Sequence, residues 1–116
     1  MSSERDCVFC QIVRKEIHAH EVLRDRYVVA FHDSNPQAPV HLLIVPIHHA
    51  SHLSQFAEEA SPAARAHLFS AAATLGKKYQ RNGFRIVINE GPDGGQTVHH
   101  LHLHLLAGRH MTWPPG

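Results

Sequence analysis

The feature that most constrains this chain is a run near its C-terminal end in which histidine and leucine alternate. Residues 100–105 read His-Leu-His-Leu-His-Leu. Side chains alternate between the two faces of a β-strand, so His100, His102 and His104 would share one face. On a helix the same spacing would scatter the three imidazoles around the axis. The run therefore predicts a strand over residues 98–106, with leucines packed on the core and histidines lining a cleft.

The other segments predict a short helix, three strands, a long helix and two strands, in that order. Apolar spacing over residues 7–17 favours the short helix. Strands are predicted at residues 21–24, 27–32, 41–46 and 84–89, before the histidine strand. Ser61-Pro62 is a typical helix start and Asn82-Gly83 a typical stop, which predicts the long helix. Runs of adjacent strands indicate an α+β fold, an antiparallel sheet with a helix across one face.

Length and charge limit the class of protein. A chain of 116 residues is expected to form one domain, 1–116. The 11 Lys and Arg nearly balance the 10 Asp and Glu, so nothing favours binding to nucleic acid or to a membrane surface. The chain has no apolar run typical of a transmembrane helix, no secretory signal pattern and too few cysteines for a disulfide scaffold. We therefore expect a cytoplasmic protein, and its 13 histidines predict sensitivity to pH near neutrality.

Three imidazoles on one strand face permit either metal binding or acid–base and nucleophilic catalysis. A polar strand face with no chemical role is the third interpretation. The loop over residues 89–97, NEGPDGGQT, leads directly into this strand. Its glycines let backbone N–H groups approach an anion, and Gln96 and Thr97 add side-chain donors. The loop and the histidine face together indicate a phosphate site, although a Gly-Gly pair alone is typical of a plain turn.

The cysteines form a C-x-x-C pair, Cys7 and Cys10, with three interpretations. A thioredoxin-like redox pair normally follows a strand, whereas only six residues precede Cys7 and none of them is strand-like. A structural zinc site would need two further ligands, which the many histidines could supply. The third interpretation is a pair of small buried side chains.

The segment HLHLHLL, residues 100–106, resembles the motif of the histidine-triad (HIT) nucleotide-binding family. FHDSNPQAP (31–39), HLLIVPIHH (41–49), VINEGPDGGQT (87–97) and the terminal MTWPPG resemble its Hint branch, so the match runs from about residue 7 to residue 116. The resemblance implies a HIT-like fold whose five-stranded antiparallel sheet continues across a homodimer. It also implies binding of purine nucleoside monophosphates and hydrolysis of phosphoramidates, including adenylated amines.

The resemblance further implies roles for individual residues. His102 would be the nucleophile on the α-phosphorus, and a backbone carbonyl near His100 would fix its tautomer. His104 and Thr97 would contact phosphate or leaving-group atoms. Thr97 stands where the branch often has serine, which leaves substrate preference open. The implied nucleotide-binding residues are Phe9, Ile17 and Phe31 around the base, Asp33 on the ribose with Ser34 beside it, and Asn89, Gly95, Gln96, Thr97, His102 and His104.

Some bacterial HIT proteins carry a similar C-x-x-C, with zinc held by two cysteines and two histidines. Carried over, the ligands would be Cys7, Cys10, His49 and His100, with His41 as the fallback histidine. Many Hint proteins lack these cysteines, so the resemblance implies a structural zinc rather than a catalytic one. Two alternatives remain: a dinucleoside polyphosphate hydrolase or nucleotidyltransferase of another HIT branch, and a non-catalytic nucleotide or metal sensor.

Overall fold

The structure, a computed structural model, describes residues 7–116 as one antiparallel sheet with three helices. The five strands lie in the order β1-β2-β3-β5-β4, and every neighbouring pair is antiparallel. This confirms the predicted α+β class and the five-stranded sheet. The elements are α1 (Val8–Val13), β1 (Glu21–Arg24), β2 (Val28–His32), β3 (Val40–Pro46), α2 (Leu53–Glu59), α3 (Pro62–Tyr79), β4 (Phe84–Ile88) and β5 (Leu103–Ala107).

The sheet has an apolar cluster on each face. On the face covered by α3, Leu101, Leu103 and Leu105 are fully buried, together with helix residues such as Leu68 and Leu75. We call this cluster the α3-side core. The opposite face carries the α1-side cluster: Cys7, Phe9, Cys10, Ile12, Val29, Phe31, Leu43 and Val45. The ring of Phe9 lies within 6.0 Å of the rings of His100 and His102, centroid to centroid. The predicted separation of leucines from histidines is therefore confirmed.

Helix α3 begins where the sequence predicts and ends earlier than expected. The Ser61 hydroxyl oxygen accepts a hydrogen bond from the Ala64 N–H at 3.1 Å, and Pro62 occupies the first turn. The helix ends at Tyr79, because Gln80 is already extended. Gly83, at a φ of 116°, serves the turn into β4 rather than the helix cap. None of the helices within residues 7–116 is long and apolar enough to cross a membrane.

Helix α2 was not predicted. Its first turn is capped by His52, whose Nδ1 accepts a hydrogen bond from the Gln55 N–H at 3.1 Å. The Gln55 side-chain oxygen reaches back to the Ser51 N–H at 2.6 Å. This reciprocal arrangement resembles a capping box, with a histidine in the usual place of serine or threonine. The helix was missed because histidine is not a typical N-cap residue, although a glutamine follows it three residues later.

The predicted strand over residues 98–106 is too long, because β5 begins only at Leu103. The β3–β5 register pairs Ile44 with Leu103, so its continuation would place Leu101 opposite Pro46. The N–H of Ile47 donates to the carbonyl of Tyr27, in the β1–β2 connection. Backbone groups of successive strand residues point to opposite sides, so those of Pro46 point towards β5. Proline has no N–H to donate there. Leu101 donates instead to the Ala50 carbonyl at 2.7 Å. His100 and His102 therefore lie on an irregular segment before the strand.

Candidate active site and metal centre

His102 is buried beside α1 with its ring orientation fixed by the backbone. Its Nδ1 lies 2.8 Å from the main-chain oxygen of His100. A carbonyl oxygen only accepts hydrogen bonds, so Nδ1 carries a proton, and in the neutral ring the lone pair is on Nε2. The centroid of the His102 ring lies 5.1 Å from Phe9 and 5.0 Å from His104, both in edge-to-face contact. The carbonyl acceptor expected near His100 is thus that of His100 itself.

His104 is the half-buried neighbour of His102 on β5. Burial lowers the pKa of His104 to about 4, and the adjacent His102 and His41 act in the same direction. The carboxylate of Asp33 opposes them without reversing the shift. His104 is therefore a neutral imidazole at pH 7, able to donate through one ring nitrogen and accept through the other.

His100 is fully buried, with its ring beside those of Phe9 and His49. Its Nε2 lies 2.9 Å from the Pro46 carbonyl oxygen. This oxygen is available because Pro46 does not pair with β5. Nε2 therefore donates, and the lone pair lies on Nδ1. Burial is the main cause that lowers the pKa of His100, to about 4. This fixed tautomer presents an unprotonated nitrogen, the form that binds a metal ion.

Three further potential metal ligands lie around His100 Nδ1, which makes a group of four. The Cys7 sulfur lies 3.3 Å from this nitrogen, the Cys10 sulfur 3.4 Å, and His49 Nδ1 3.2 Å. His49 Nδ1 also lies 3.2 Å from the Cys10 sulfur. Ligand atoms around a tetrahedral zinc ion are separated by roughly 3.3–3.8 Å, given bonds of about 2.0–2.3 Å. Cys7, Cys10, His49 and His100 are thus arranged so that together they can hold one metal ion.

His41, the fallback ligand, does not belong to this cluster. It lies on β3 with its Nε2 2.9 Å from His104 Nδ1 and 3.4 Å from an Asp33 carboxylate oxygen. The prediction that His41 could replace His49 is therefore wrong. His41 lies within β3, on the α1 side of the sheet. His49 lies after the end of β3, and only there does the chain come close to the cysteines.

The glycine loop is held from inside by Gln96. The side-chain amide of Gln96 donates to the Ser51 carbonyl at 2.6 Å and to the Val98 carbonyl at 3.0 Å, and its oxygen accepts from the Gly91 N–H. Both of its N–H groups are used in this way, so the predicted phosphate donor instead shapes the loop. Gly91 and Gly95 have positive φ values of 76° and 82°, which their lack of a side chain permits.

A second anchor of this loop, Glu90, was missed by the sequence analysis. Its carboxylate accepts hydrogen bonds from the backbone N–H and the hydroxyl of Ser54, each at 2.9 Å, at the first turn of α2. These bonds, chiefly the one from the backbone N–H, lower the pKa of Glu90. The role of Glu90 could not be predicted because its partner Ser54 lies in α2, a helix that the sequence analysis did not predict. Asn89, the first residue of the loop, is half-buried, and Thr97, its last residue, is exposed.

The residues predicted around the base are only partly brought together. Phe9 and Phe31 contact each other edge to face at 5.7 Å within the α1-side cluster. Ile17 is 41% exposed and is not among the described residues of that cluster. Asp33 and the exposed Ser34 follow β2 directly, and Asp33 accepts from the Asn35 N–H at 2.7 Å. Contact of these residues with a nucleotide stays a prediction.

The antiparallel sheet thus carries a histidine whose tautomer is fixed, next to a Cys₂His₂ cluster that can hold a metal ion. The chain belongs to the HIT family, because the HIT domain model matches residues 14–111. It is 41% identical to a 14 kDa zinc-binding protein of Zea mays, over the full length of both chains. It is 40% identical to the adenylylsulfatase HINT1 of Arabidopsis thaliana, over 98% of this chain and 79% of that one. A HIT family hydrolase of Legionella pneumophila superposes with a TM-score of 0.90 at 42% identity, over 96% and 100% of the two chains.

Proposed function

We propose that this protein is a nucleotide-binding hydrolase that cleaves purine nucleoside 5′-phosphoramidates through a nucleotidyl intermediate on His102. The observation that carries the proposal is the hydrogen bond from His102 Nδ1 to the His100 carbonyl, 2.8 Å long. It fixes the neutral ring in the tautomer whose lone pair lies on Nε2, the nitrogen that would attack phosphorus. The adenylylsulfatase and hydrolase names of the relatives support an adenylyl compound as the substrate class.

The proposed reaction has two displacements at phosphorus. His102 Nε2 forms a bond to the α-phosphorus, the P–N bond to the amine breaks, and the amine nitrogen takes up a proton from water. A water molecule then attacks the phosphorus, the bond to Nε2 breaks, and nucleoside monophosphate leaves while a proton returns to solvent. The hard displacement is thereby split into two easier ones. Loop N–H groups and His104 donate hydrogen bonds to the phosphoryl oxygens.

Substitution of His102 by asparagine tests the nucleophile. We expect turnover of an adenosine 5′-phosphoramidate to fall by at least about 10³-fold, with AMP affinity near that of the wild type. His99→Asn, an exposed histidine three residues away, is the matched control and should retain activity. Turnover by His102→Asn at the wild-type rate would remove the assignment. Acid-labile labelling of the wild type by radiolabelled substrate would detect the adduct directly.

A substrate panel separates the proposed activity from its alternatives. It contains AMP-amine and GMP-amine conjugates, adenylylsulfate and diadenosine tetraphosphate. Preference for the conjugates supports the phosphoramidase. Faster cleavage of adenylylsulfate would place this chain with the activity named for its plant relative, and preference for the polyphosphate would place it in another HIT branch. AMP binding without turnover of any compound would leave a nucleotide sensor.

We also propose that the metal held by Cys7, Cys10, His49 and His100 is zinc, and that it is structural. A Cys₂His₂ donor set is typical of structural zinc, and the maize relative is named as a zinc-binding protein. When bound, zinc would fix α1 to the segment that carries His102, and no step of the reaction involves it. Chelation should lower thermal stability without abolishing turnover by the protein that remains folded.

The proposed functional unit is a homodimer. Strand β4 lies at one edge of the sheet, and within residues 7–116 no strand pairs with its outer side, which leaves that side for another chain. Phe84 on β4 is 39% exposed, which leaves apolar surface on this strand. Light scattering after size exclusion should give about twice the chain mass of 13.0 kDa. A monomer at micromolar concentration would contradict this proposal.

A further inference from the structure

A hydrogen-bond chain lies on the side of His104 that faces away from the cysteines. The backbone N–H of Gln37 lies 3.0 Å from His41 Nδ1. The other ring nitrogen of His41 lies 2.9 Å from His104 Nδ1 and 3.4 Å from an Asp33 oxygen. His41 is 5% exposed on β3, beside β5, which carries His104. Two neutral imidazoles are therefore joined nitrogen to nitrogen within a mostly buried group.

The donors and acceptors of this chain can be assigned without ambiguity. A backbone N–H only donates, so His41 Nδ1 must accept and carries no proton. The proton of neutral His41 is then on Nε2, which donates to its nearer neighbour, His104 Nδ1. An accepting Nδ1 places the proton of His104 on its own Nε2. Burial lowers the pKa values of both rings, which agrees with two neutral imidazoles.

The same assignment decides against a second metal centre here. Asp33, His41 and His104 bring three potential ligand atoms within 4.8 Å of one another. A metal ion on His41 Nε2 would require the proton on Nδ1, where it would face the Gln37 N–H. Two donors would then oppose each other in a buried position, at a cost typical of an unsatisfied polar group. The group is a hydrogen-bond chain and not a cation site.

We infer that His41 is a positioning residue that holds His104 as its Nε2–H tautomer, and that His104 in this form donates a hydrogen bond to a phosphoryl oxygen of the bound nucleotide. The inference rests on the proposed function for the identity of the acceptor. His104 acts as a neutral donor and transfers no proton, since loss of its proton would leave an imidazolate. Its neutral N–H stabilises negative charge that grows on the phosphoryl oxygens in the transition state.

The two imidazoles at the reaction centre consequently have opposite tautomers. His102 is held as Nδ1–H by the His100 carbonyl, and His104 is held as Nε2–H by His41. One ring therefore offers a lone pair and its neighbour offers a proton donor. Backbone groups set both tautomers, the carbonyl of His100 directly and the N–H of Gln37 through the His41 ring.

The inference is tested by ¹⁵N NMR of the histidine rings in the full-length protein at pH 7.5. The wild type should show His41 and His104 as Nε2–H tautomers and His102 as the Nδ1–H tautomer. The His104 Nε2 proton should shift on titration with AMP. Finding His104 as the Nδ1–H tautomer in the wild type would overturn the inference, and this measurement needs no variant that could fail to fold.

Variants of His41 provide the second readout. His41→Phe keeps an aromatic ring and removes the donor, so the His104 signals should report mixed tautomers and kcat should fall about 10-fold to 100-fold with little change in KM. His41→Gln restores an N–H donor and should recover most of the loss. Asp33→Asn should leave the His104 tautomer unchanged, because the Gln37 N–H still sets that of His41. An unaltered His104 tautomer in His41→Phe would refute the positioning role.

The two proposals can fail separately. If the wild type hydrolyses no nucleotide conjugate but shows the predicted tautomers and the AMP-dependent shift, the hydrolase proposal fails while the positioning role of His41 stands. If it hydrolyses the conjugates with His104 as the Nδ1–H tautomer, the reverse holds.

Discussion

The two faces of the sheet around residues 101–105 are stabilised in different ways. On the α3 side, Leu101, Leu103 and Leu105 are fully buried among apolar side chains. On the α1 side, His100 and His102 are also buried, but both nitrogens of the His100 ring and the Nδ1 of His102 have polar partners. One face depends on volume and surface removed from water, and the other on matched donors and acceptors. Substitutions on the two faces should therefore change different properties.

The largest effect on folding is expected from Leu103→Ala on the α3 side. The side chain is fully buried, so its truncation should lower the free energy of unfolding by about 3–5 kcal/mol. Turnover per folded molecule and metal content should stay at the wild-type level. Urea denaturation measures the free energy of unfolding, and Leu106→Ala is the control. Leu106 is half-buried on the opposite face and should lose less than about 2 kcal/mol. Equal losses would contradict the contrast between faces.

Loss of the metal should be the largest effect on the α1 side. Cys10→Ser should reduce zinc per chain to near zero by elemental analysis. It should also lower the free energy of unfolding by about 2.7–4 kcal/mol when zinc is at 100 to 1,000 times its Kd. His48 is exposed and precedes the ligand His49 in the chain, so it provides the matched control. His48→Ala should leave the zinc content unchanged. Retention of zinc by Cys10→Ser would exclude Cys10 as a ligand.

Acid should lower the free energy of unfolding by protonating the buried imidazoles in the unfolded chain. The pKa of His104 is about 4 in the folded state and about 6.5 unfolded, so between these values the unfolded chain binds more protons. The free energy of unfolding should therefore fall as pH decreases from about 6.5 to 4. The contribution of this half-buried ring stays below about 1.4 kcal/mol per pH unit, because solvent screens it. His104→Gln should reduce the slope measured by denaturation at several pH values; an unchanged slope would assign the effect to other histidines.

The smallest expected effect belongs to the cap of α3. Ser61→Ala removes the side-chain acceptor of the Ala64 N–H and should cost about 1 kcal/mol, seen as a small fall in Tm. Ser61→Asp preserves an acceptor and should restore the wild-type value. Zinc content and the His102 tautomer should not respond to either change, since α3 packs on the leucine face. A change in zinc content would show that the two faces are coupled.

Local patterns in the sequence determined much of this molecule. The alternation of leucine and histidine over residues 100–105 separates the two faces, and that separation survives although the segment is strand only from Leu103. The Ser61-Pro62 pair fixes the start of α3. The spacing of Cys7 and Cys10 allowed a metal site as one of three interpretations, and the resemblance supplied the zinc and its two histidines. Each of these follows from side-chain period, capping chemistry or a family pattern, which a sequence carries directly.

Tertiary structure decided where the ring protons lie, apart from that of His102, for which the resemblance had implied a carbonyl acceptor. The tautomers of His100, His102 and His41 depend on the Pro46 and His100 carbonyls and on the Gln37 N–H. His104 takes its tautomer from His41, 63 residues away in the chain. Gln96 likewise changed from predicted ligand donor to loop anchor once its partners were in place. A ring nitrogen has no role until its neighbour is known, because imidazole can donate or accept at either atom, and only the folded backbone supplies that neighbour.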